Sequence, residues 1–195
     1  MQATVHYLDG VPGPQDNSWV DAVLAHADAD GDRPAGALVA RPLSLGAGVL
    51  VRFGPASAAG FAAGSVTAGP GTTYEIIARH SGPARGRPRY LQLITFAGPR
   101  SPEWCAAFDR SGEERLWPAV RDLPGLVGDL VGSTSDGGRV VLTLAESVET
   151  LEAGAVAVLS TQLLPWETPE HLTGPDGSAL LRLLHADVPA AVPST

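Results

Sequence analysis

The hydrophobic and polar positions of the chain alternate with two periods, and the run from residue 122 to residue 154 shows both clearly. Two stretches with regularly spaced apolar residues flank Ser135-Asp136-Gly137-Gly138, and a segment with three glutamates and an apolar face follows. Apolar stretches around an Asp-Gly turn are typical of a β-hairpin. Acidic residues at the start of a periodic apolar segment are typical of a helix N-terminus. The run therefore predicts a strand, a turn, a strand and a helix.

The same order of elements is predicted twice. In the first half the predicted elements are a strand at 3–8, a helix at 19–27, strands at 36–45 and 49–53, a weak Ala-rich helix at 55–64 and a strand at 72–80. In the second half they are a strand at 90–96, a helix opened by Ser101 that restarts at a Ser111 capping box, strands at 126–133 and 139–144, a helix at 147–159 and a strand at 179–185. Each order is β-α-β-β-α-β, the ferredoxin-like unit.

Short motifs recur in step with these elements. Gly-Pro-x4-Trp occurs at residues 13–19 and again at 98–104, and Gly-Pro-x9-His occurs at 69–80 and again at 174–185. A period of this length is too long for a solenoid repeat, so it indicates the duplication of a whole domain.

The duplication predicts a domain organisation. We expect a first ferredoxin-like repeat at 1–80, a linker at 81–89, a second repeat at 90–187 and a tail at 188–195. Runs such as Val49-Leu50-Val51 place apolar side chains on both faces of a strand, which predicts that both faces of each sheet are covered. Since helices cover one face only, the expected fold is α+β, with two tandem repeats packing sheet to sheet as a pseudo-symmetric α+β barrel.

The stretch 124–154 carries a family resemblance, and so does the stretch 163–176, which runs from Leu-Leu-Pro to Gly-Pro-Asp. A Pro-Gly after a helix, a β-hairpin and then a helix opened by Ser and Glu resemble the antibiotic biosynthesis monooxygenase superfamily, whose proteins have a dimeric α+β barrel fold. The resemblance implies a cofactor-independent monooxygenase of secondary metabolism. Its implied partners are an aromatic polyketide-type small molecule and molecular oxygen, and a homodimer is left open.

The superfamily also contains haem-degrading enzymes and proteins of no known activity. Phe53 and Leu144 occupy the position where relatives commonly have Trp, and Asn17, the only Asn of the chain, lies in a helix-cap setting. The residues of the haem degraders are therefore not carried over. Three alternatives stay open: a flavin- or haem-assisted oxygenase, a cyclase, and a non-catalytic barrel that binds a ligand or a partner.

Cofactor-free oxygenation needs a base or hydrogen-bond donor, a cation near the developing negative charge, and an aromatic wall. The candidate catalytic residues are His6, Tyr7, Arg52 and His80. The candidate substrate-binding residues are Trp104, Trp117 and Trp166.

Most candidates also have a structural interpretation. His6 could be a buried residue bonded to backbone, and His80, which recurs as His185, could be structural. A buried Arg52 needs an acidic partner or a ligand anion. Trp117 and Trp166 could either wall a pocket or form dimer contacts.

Composition and charge exclude several classes of function. The formal charge is −8, and all 13 basic residues are Arg without a basic stripe, which argues against nucleic-acid binding. The five His residues lack metal-ligand spacing, so no metal site and no bound cofactor are expected. The chain has no apolar run of membrane-spanning length and no leader-like N-terminus, so we expect a cytoplasmic protein without membrane contact.

Overall fold

The computed structural model describes residues 1–29, 35–44, 46–168 and 173–189. The chain forms two compact units: Met1–Glu75 with Leu181–Thr195 is the first unit, and Ile76–Leu180 is the second. The borders between the units fall inside two long strands, β6 (Thr72–Ser81) and β10 (Gly177–Asp187). The repeat boundaries expected from the sequence stay a prediction.

The first unit is a mainly antiparallel sheet with one helix. Its complete elements are β1 (Gln2–Asp9), α1 (Trp19–Ala29), β2 (Gly36–Pro42), β3 (Gly48–Phe53), β4 (Phe61–Ala63) and β5 (Val66–Ala68). The strand order is β10–β2–β3–β1–β6, and the β4–β5 hairpin adjoins β1 through the pair Leu8 and Ala68. On β3, Leu50 lies opposite His6 of β1 on one side and Val39 of β2 on the other.

A continuous core fills the side of this sheet that carries α1. Trp19, Val20 and Val23 of the helix are buried against sheet residues such as Val39 and Leu50. The hairpin adds further buried side chains, which are Ala63, Val66 and Ala68. Apolar side chains of α1 and of the β4–β5 hairpin therefore fill the space over this side of the sheet.

The hairpin corrects one expectation from the sequence: the Ala-rich helix predicted at 55–64 is absent, and β4 occupies its second half. Ala63, Val66 and Ala68 are buried and Thr67 between two of them is exposed, which is the period of a strand and not of a helix. Gly64 has a φ of +63°, which a turn residue of the left-handed region adopts and a helix interior does not. High Ala content alone was therefore misleading.

The second unit is a sheet covered by helices. Its complete elements are β7 (Tyr90–Phe96), α2 (Pro102–Ser111), a π-helical turn (Gly112–Leu116), α3 (Trp117–Val120), β8 (Leu126–Ser133), β9 (Arg139–Ala145) and α4 (Val148–Ser160). The strand order is β6–β8–β9–β7–β10. On β9, Thr143 lies opposite Gln92 of β7 and Asp129 of β8.

Two helix starts follow their sequence signals, and one does not. The Ser101 and Ser147 hydroxyls each accept a backbone N–H three residues on, at 3.2 Å, so both residues cap as expected. The restart predicted at Ser111 is wrong, because Ser111 has helical φ and ψ and its hydroxyl donates to Glu167 instead. The helix continues through the π-helical turn into α3.

The four strands of each predicted repeat have the ferredoxin-like order fourth–first–third–second. In the first unit this run is β6–β1–β3–β2, and in the second it is β10–β7–β9–β8. The α+β class is therefore confirmed, while the duplication and the sheet-to-sheet packing stay predictions. None of the helices in the described ranges has the length and apolarity to span a membrane.

Candidate active site

A cavity of about 670 Å³ lies within the second unit, between its sheet and its helices. All of its lining residues fall between Ile77 and Ser178. The lining is mostly apolar, with a few polar side chains. This size and character are typical of sites that enclose a small organic molecule.

The sheet forms the floor of the cavity as two rows of side chains. Ile94, Val141 and Val131 are cross-strand neighbours and form an apolar row. The second row is polar and lies two residues further along each strand, about 7 Å from the first row. The polar row consists of Gln92, Thr143 and Asp129.

The helices form the roof, and most of its side chains are apolar, apart from Asp109, Glu113 and Thr150. The apolar side chains include Phe108, Leu116, Trp117, Val120, Leu151 and Val158. Gly154 and Ala155 also line the roof, and their small size leaves room above the floor. A flat apolar ligand would therefore contact hydrocarbon on both faces.

His80, near the end of β6, extends the polar row by one strand. Its Nδ1 lies 2.6 Å from Asp129 Oδ1, and its Nε2 lies 2.9 Å from Glu113 Oε1. The His80 and Asp129 side chains are each 15% exposed, whereas Glu113 is 56% exposed. The indole of Trp117 stacks on the imidazole with ring centroids 4.5 Å apart. A histidine thus lies between an inner and an outer carboxylate at the wall of an apolar cavity.

Two local features bring these groups together. A Cβ at Gly128 would collide with the carbonyl oxygen of His80, so glycine lets β8 approach β6 closely beside Asp129. The π-helical turn presents Glu113 and precedes Trp117, and such turns insert an extra residue into a helix, frequently at functional sites. Both features are local departures from regular structure.

Asp129 is the perturbed acid of the cluster. Burial raises the pKa of its carboxyl above the ordinary value, the nearby Glu113 charge adds to the rise, and pairing with His80 opposes it only in part. A carboxyl with a raised pKa next to an imidazole can share a proton with it, which is a frequent property of acid–base sites.

A second polar cluster holds the 161–168 loop against the π-helical turn. Glu167 accepts hydrogen bonds from Ser111 Oγ at 2.5 Å, from Arg115 Nε at 2.9 Å and from the Leu164 N–H at 2.7 Å. Burial opposes ionisation, but these donors outweigh it and lower the pKa of Glu167. The π-helical turn is therefore anchored from the side of this loop.

Two of the residues predicted from the sequence meet at the cavity, namely His80 and Trp117. The other two tryptophans lie outside its lining. Trp104 is buried and donates from its indole to Thr173 Oγ1 at 3.1 Å. Trp166 donates to Glu114 and lies under the guanidinium of Arg110.

The remaining candidates belong to the first unit, and none lines the cavity. The two nitrogens of His6 lie 3.3 Å and 3.0 Å from the carbonyl oxygens of Gly69 and Ser57. Arg52 is buried and donates to the Ala27 carbonyl at 2.6 Å, in the last turns of α1. Tyr7 is 49% exposed. The catalytic roles of His6, Tyr7 and Arg52 therefore stay predictions.

Sequence reasoning missed Asp129, Glu113, Gln92 and Thr143. Gln92 and Thr143 had a usable signal, because each is a polar residue between two leucines within a predicted strand. Glu113 had none, because its position depends on the π-helical turn. Glu170-His171 is a weak sequence candidate for an axial haem ligand, and both residues lie outside the described ranges. In the part of the chain that is described, no group of three or more His, Cys, Asp or Glu residues could hold a metal ion.

Comparison with known proteins identifies the fold. No family model and no curated protein matches the sequence. Among solved structures, an anthrone oxidase-like protein is 15% identical, with a TM-score of 0.58, 94% of this chain covered and 92% of the other. A candidate monooxygenase from Fusobacterium nucleatum is 9% identical, with a TM-score of 0.59 and coverage of 94% and 93%.

A third solved structure is a ferredoxin-fold protein from Listeria monocytogenes that is related to antibiotic biosynthesis monooxygenases. It is 10% identical, with a TM-score of 0.51 and 95% of each chain covered. The chain therefore has the α+β fold of proteins like the antibiotic biosynthesis monooxygenases, which confirms the fold resemblance expected from the sequence.

Proposed function

We propose that the chain is a cofactor-independent, monooxygenase-like enzyme of secondary metabolism that oxidises an aromatic, polyketide-type small molecule. The observation that carries the proposal is the His80–Asp129 pair at the wall of an otherwise apolar cavity. His80 acts as the general base, Asp129 orients and polarises it, and Trp117 forms an aromatic wall beside it.

The cavity supports such a substrate through its shape and its lining. Apolar side chains form one of the two floor rows and most of the roof, so a flat polycyclic ring loses water on both faces when it binds. The polar groups are concentrated on one row, which would fix the direction of an oxygenated ring system. A substrate with several aromatic rings and few charges fits this arrangement.

The first step is proton transfer to His80 Nε2. The hydrogen bond between Nε2 and Glu113 contains one proton, which leaves with the Glu113 carboxyl when the substrate displaces it, so Nε2 has a free lone pair. Solvent favours the displacement because Glu113 is more than half exposed. Asp129 accepts the Nδ1–H and so stabilises the imidazolium that forms. The carbon that loses its proton keeps the electron pair, which is delocalised onto the ring carbonyl.

Molecular oxygen then reacts with the electron-rich enolate. In an anthrone-type substrate the ring CH₂ becomes C=O, one O₂ is consumed and one H₂O is released. This stoichiometry balances without an external reductant. The role of the protein is to generate the enolate and to shield it from water.

Haem-assisted oxygenation, one of the alternatives, would use a histidine as axial ligand. Both ring nitrogens of His80 lie within hydrogen-bond distance of carboxylates, which favours a proton-transfer role over metal ligation. A haem titration followed by the Soret absorption distinguishes the two. Tight haem binding by the wild type that is lost in His80→Ala would favour haem-assisted oxygenation.

The proposal is tested by oxygen uptake with 1,8-dihydroxyanthrone as substrate and metal-depleted protein. We expect His80→Ala to lower kcat by about 10²- to 10⁴-fold, since a positioned general base contributes that much. The matched control is His185→Ala, at the second histidine of the Gly-Pro-x9-His pattern, which should retain the wild-type rate. Uptake that is absent in the wild type, or equal in wild type and His80→Ala, would contradict the proposal.

A further inference from the structure

We infer that Gln92 and Thr143 form an oxyanion site, which binds the carbonyl oxygen that becomes negatively charged when His80 removes a proton. The inference rests on the proposed function, because it assigns the second half of the same proton-transfer step. It adds two catalytic residues on the cavity floor and limits the substrate to compounds in which the acidic C–H and the carbonyl lie on opposite sides of a ring.

The order of the strands fixes the geometry of this site. The polar row runs from His80 on β6 to Asp129 on β8, Thr143 on β9 and Gln92 on β7. Neighbouring strands lie about 4.8 Å apart, so Thr143 is roughly 10 Å and Gln92 roughly 14 Å from His80 between backbones. Base and donors thus lie at opposite ends of one row.

Both donors have free hydrogen-bonding capacity. Within the described ranges, neither the Gln92 amide nor the Thr143 hydroxyl has a hydrogen bond, and both residues line the cavity. Their neighbours on the floor, Ile94 and Val141, are apolar. A polar group in such surroundings is costly unless a ligand or water satisfies it. The amide supplies two N–H donors and the hydroxyl one O–H donor, as an oxyanion requires.

The spacing suits a cross-ring enolate. The base contact and the oxyanion hydrogen bond each take about 3 Å, and one six-membered ring with its carbonyl lies between them. The sum of these lengths is comparable to the roughly 10 Å that separates the backbones of His80 and Thr143, which lie two strands apart. Asp129, between the two ends, is already engaged by His80 through its carboxyl oxygen, so it is unsuited to stabilise an oxyanion.

The step balances as a proton transfer. The C–H bond of the substrate breaks and the proton moves to His80 Nε2. The electron pair forms a ring C=C bond while the carbonyl π pair moves onto oxygen, which accepts hydrogen bonds from Thr143 and Gln92. Nothing is oxidised in this step, and O₂ reacts only afterwards. Substrates of this class are anthrone-type ketones and their oxygenated derivatives.

The kinetic test compares Gln92→Leu and Thr143→Val with the wild type in the oxygen-uptake assay. Each variant should lower kcat by about 10²-fold with little change in KM, because the donors act on charge that exists only after proton removal. The controls are Gln15→Leu and Thr67→Val, which make the same chemical changes at exposed positions of the first unit. Variants with the wild-type kcat would overturn the inference and leave the proposed function standing.

A binding test separates this inference from turnover. The probe is 2-hydroxyanthraquinone, whose phenolate and phenol forms absorb differently. We expect the wild type to enrich the bound phenolate about tenfold over Gln92→Leu or Thr143→Val at the same pH. This result without oxygen uptake would support the anion site and contradict the oxygenase proposal. No binding of the probe, or equal phenolate fractions in all proteins, would overturn the site.

Discussion

The two units use the same strand order but treat the helix-facing side of their sheets differently. In the first unit, α1 and the β4–β5 hairpin fill this side with buried apolar residues. In the second unit, two helical segments span the sheet and leave a cavity of about 670 Å³. A sheet with one strand order can therefore be a packed scaffold or the floor of a site, depending on what covers it.

The cross-strand rows make the contrast specific. The row Gln92–Thr143–Asp129 of the second unit has the same strand positions as Thr4–Arg52–Ala37 of the first. Arg52 extends to the carbonyl of Ala27 at the end of α1 and so uses its charge on the scaffold. Thr143 is short and leaves its hydroxyl to the cavity.

The neighbouring row shows the same difference. His6, Leu50 and Val39 of the first unit take the positions of Ile94, Val141 and Val131 in the second. The imidazole of His6 is fully buried, with both nitrogens near backbone carbonyls. A polar residue in the packed unit is thus satisfied by the chain itself, whereas polar residues in the open unit are available to a ligand.

Replacing one tryptophan in each unit gives the largest expected difference. Trp19→Ala should lower the free energy of unfolding by about 4 kcal/mol, because Trp19 is fully packed in the core of the first unit. Trp117→Ala should cost about 1 kcal/mol, since that indole borders open space. Urea unfolding followed by circular dichroism measures both. Equal losses would show that the cavity is not open in solution.

The anchor of the 161–168 loop should give a somewhat smaller loss. Glu167→Gln leaves the Arg115 guanidinium without its carboxylate and should cost about 3 kcal/mol. Since the pKa of Glu167 is lowered, its contribution is present above the ordinary glutamate pKa and is lost as pH falls through the lowered value.

The control for this loop is Glu152→Gln on the exposed side of α4. The free energies of unfolding of the two variants, measured at several pH values, should differ most at neutral pH. A loss in Glu167→Gln no larger than in the control would contradict the anchoring role.

The smallest expected effect on stability is a gain in Asp129→Asn. Because the pKa of Asp129 is raised, the folded state holds this proton more tightly than the unfolded state, so wild-type stability falls as pH rises through the raised value. The asparagine does not titrate. The stability of the variant relative to wild type should therefore increase as pH rises from the ordinary Asp pKa through the raised one, while oxygen uptake decreases. A difference independent of pH would contradict the raised pKa.

Much of the scaffold could be predicted from the sequence because its signals are local. The Ser101 and Ser147 caps and the Ser135–Gly138 turn each act within a few residues, and the elements around them form as predicted. The β4–β5 hairpin was missed because Ala has the highest intrinsic helix propensity, whereas burial against α1 overrides propensity here.

The candidate site was less predictable because it depends on cross-strand register. His80 and Trp117 were recognised as residue types, but their contact requires the end of β6 to reach α3. Gln92, Thr143 and Asp129 lie far apart in sequence and meet only because three strands align them on one face. Without knowledge of the strand register, Arg52 was as plausible a site residue as Thr143.

The π-helical turn at Gly112–Leu116 has a consequence for how this fold could diverge. Removing one residue there would restore the regular α-helical pitch and rotate the following side chains by about 100° relative to the preceding ones. Trp117 would leave the imidazole of His80, and Glu113 would change direction, while the sheet would be unaffected. A deletion of one codon could therefore separate an active lineage from an inactive one that shares the same scaffold.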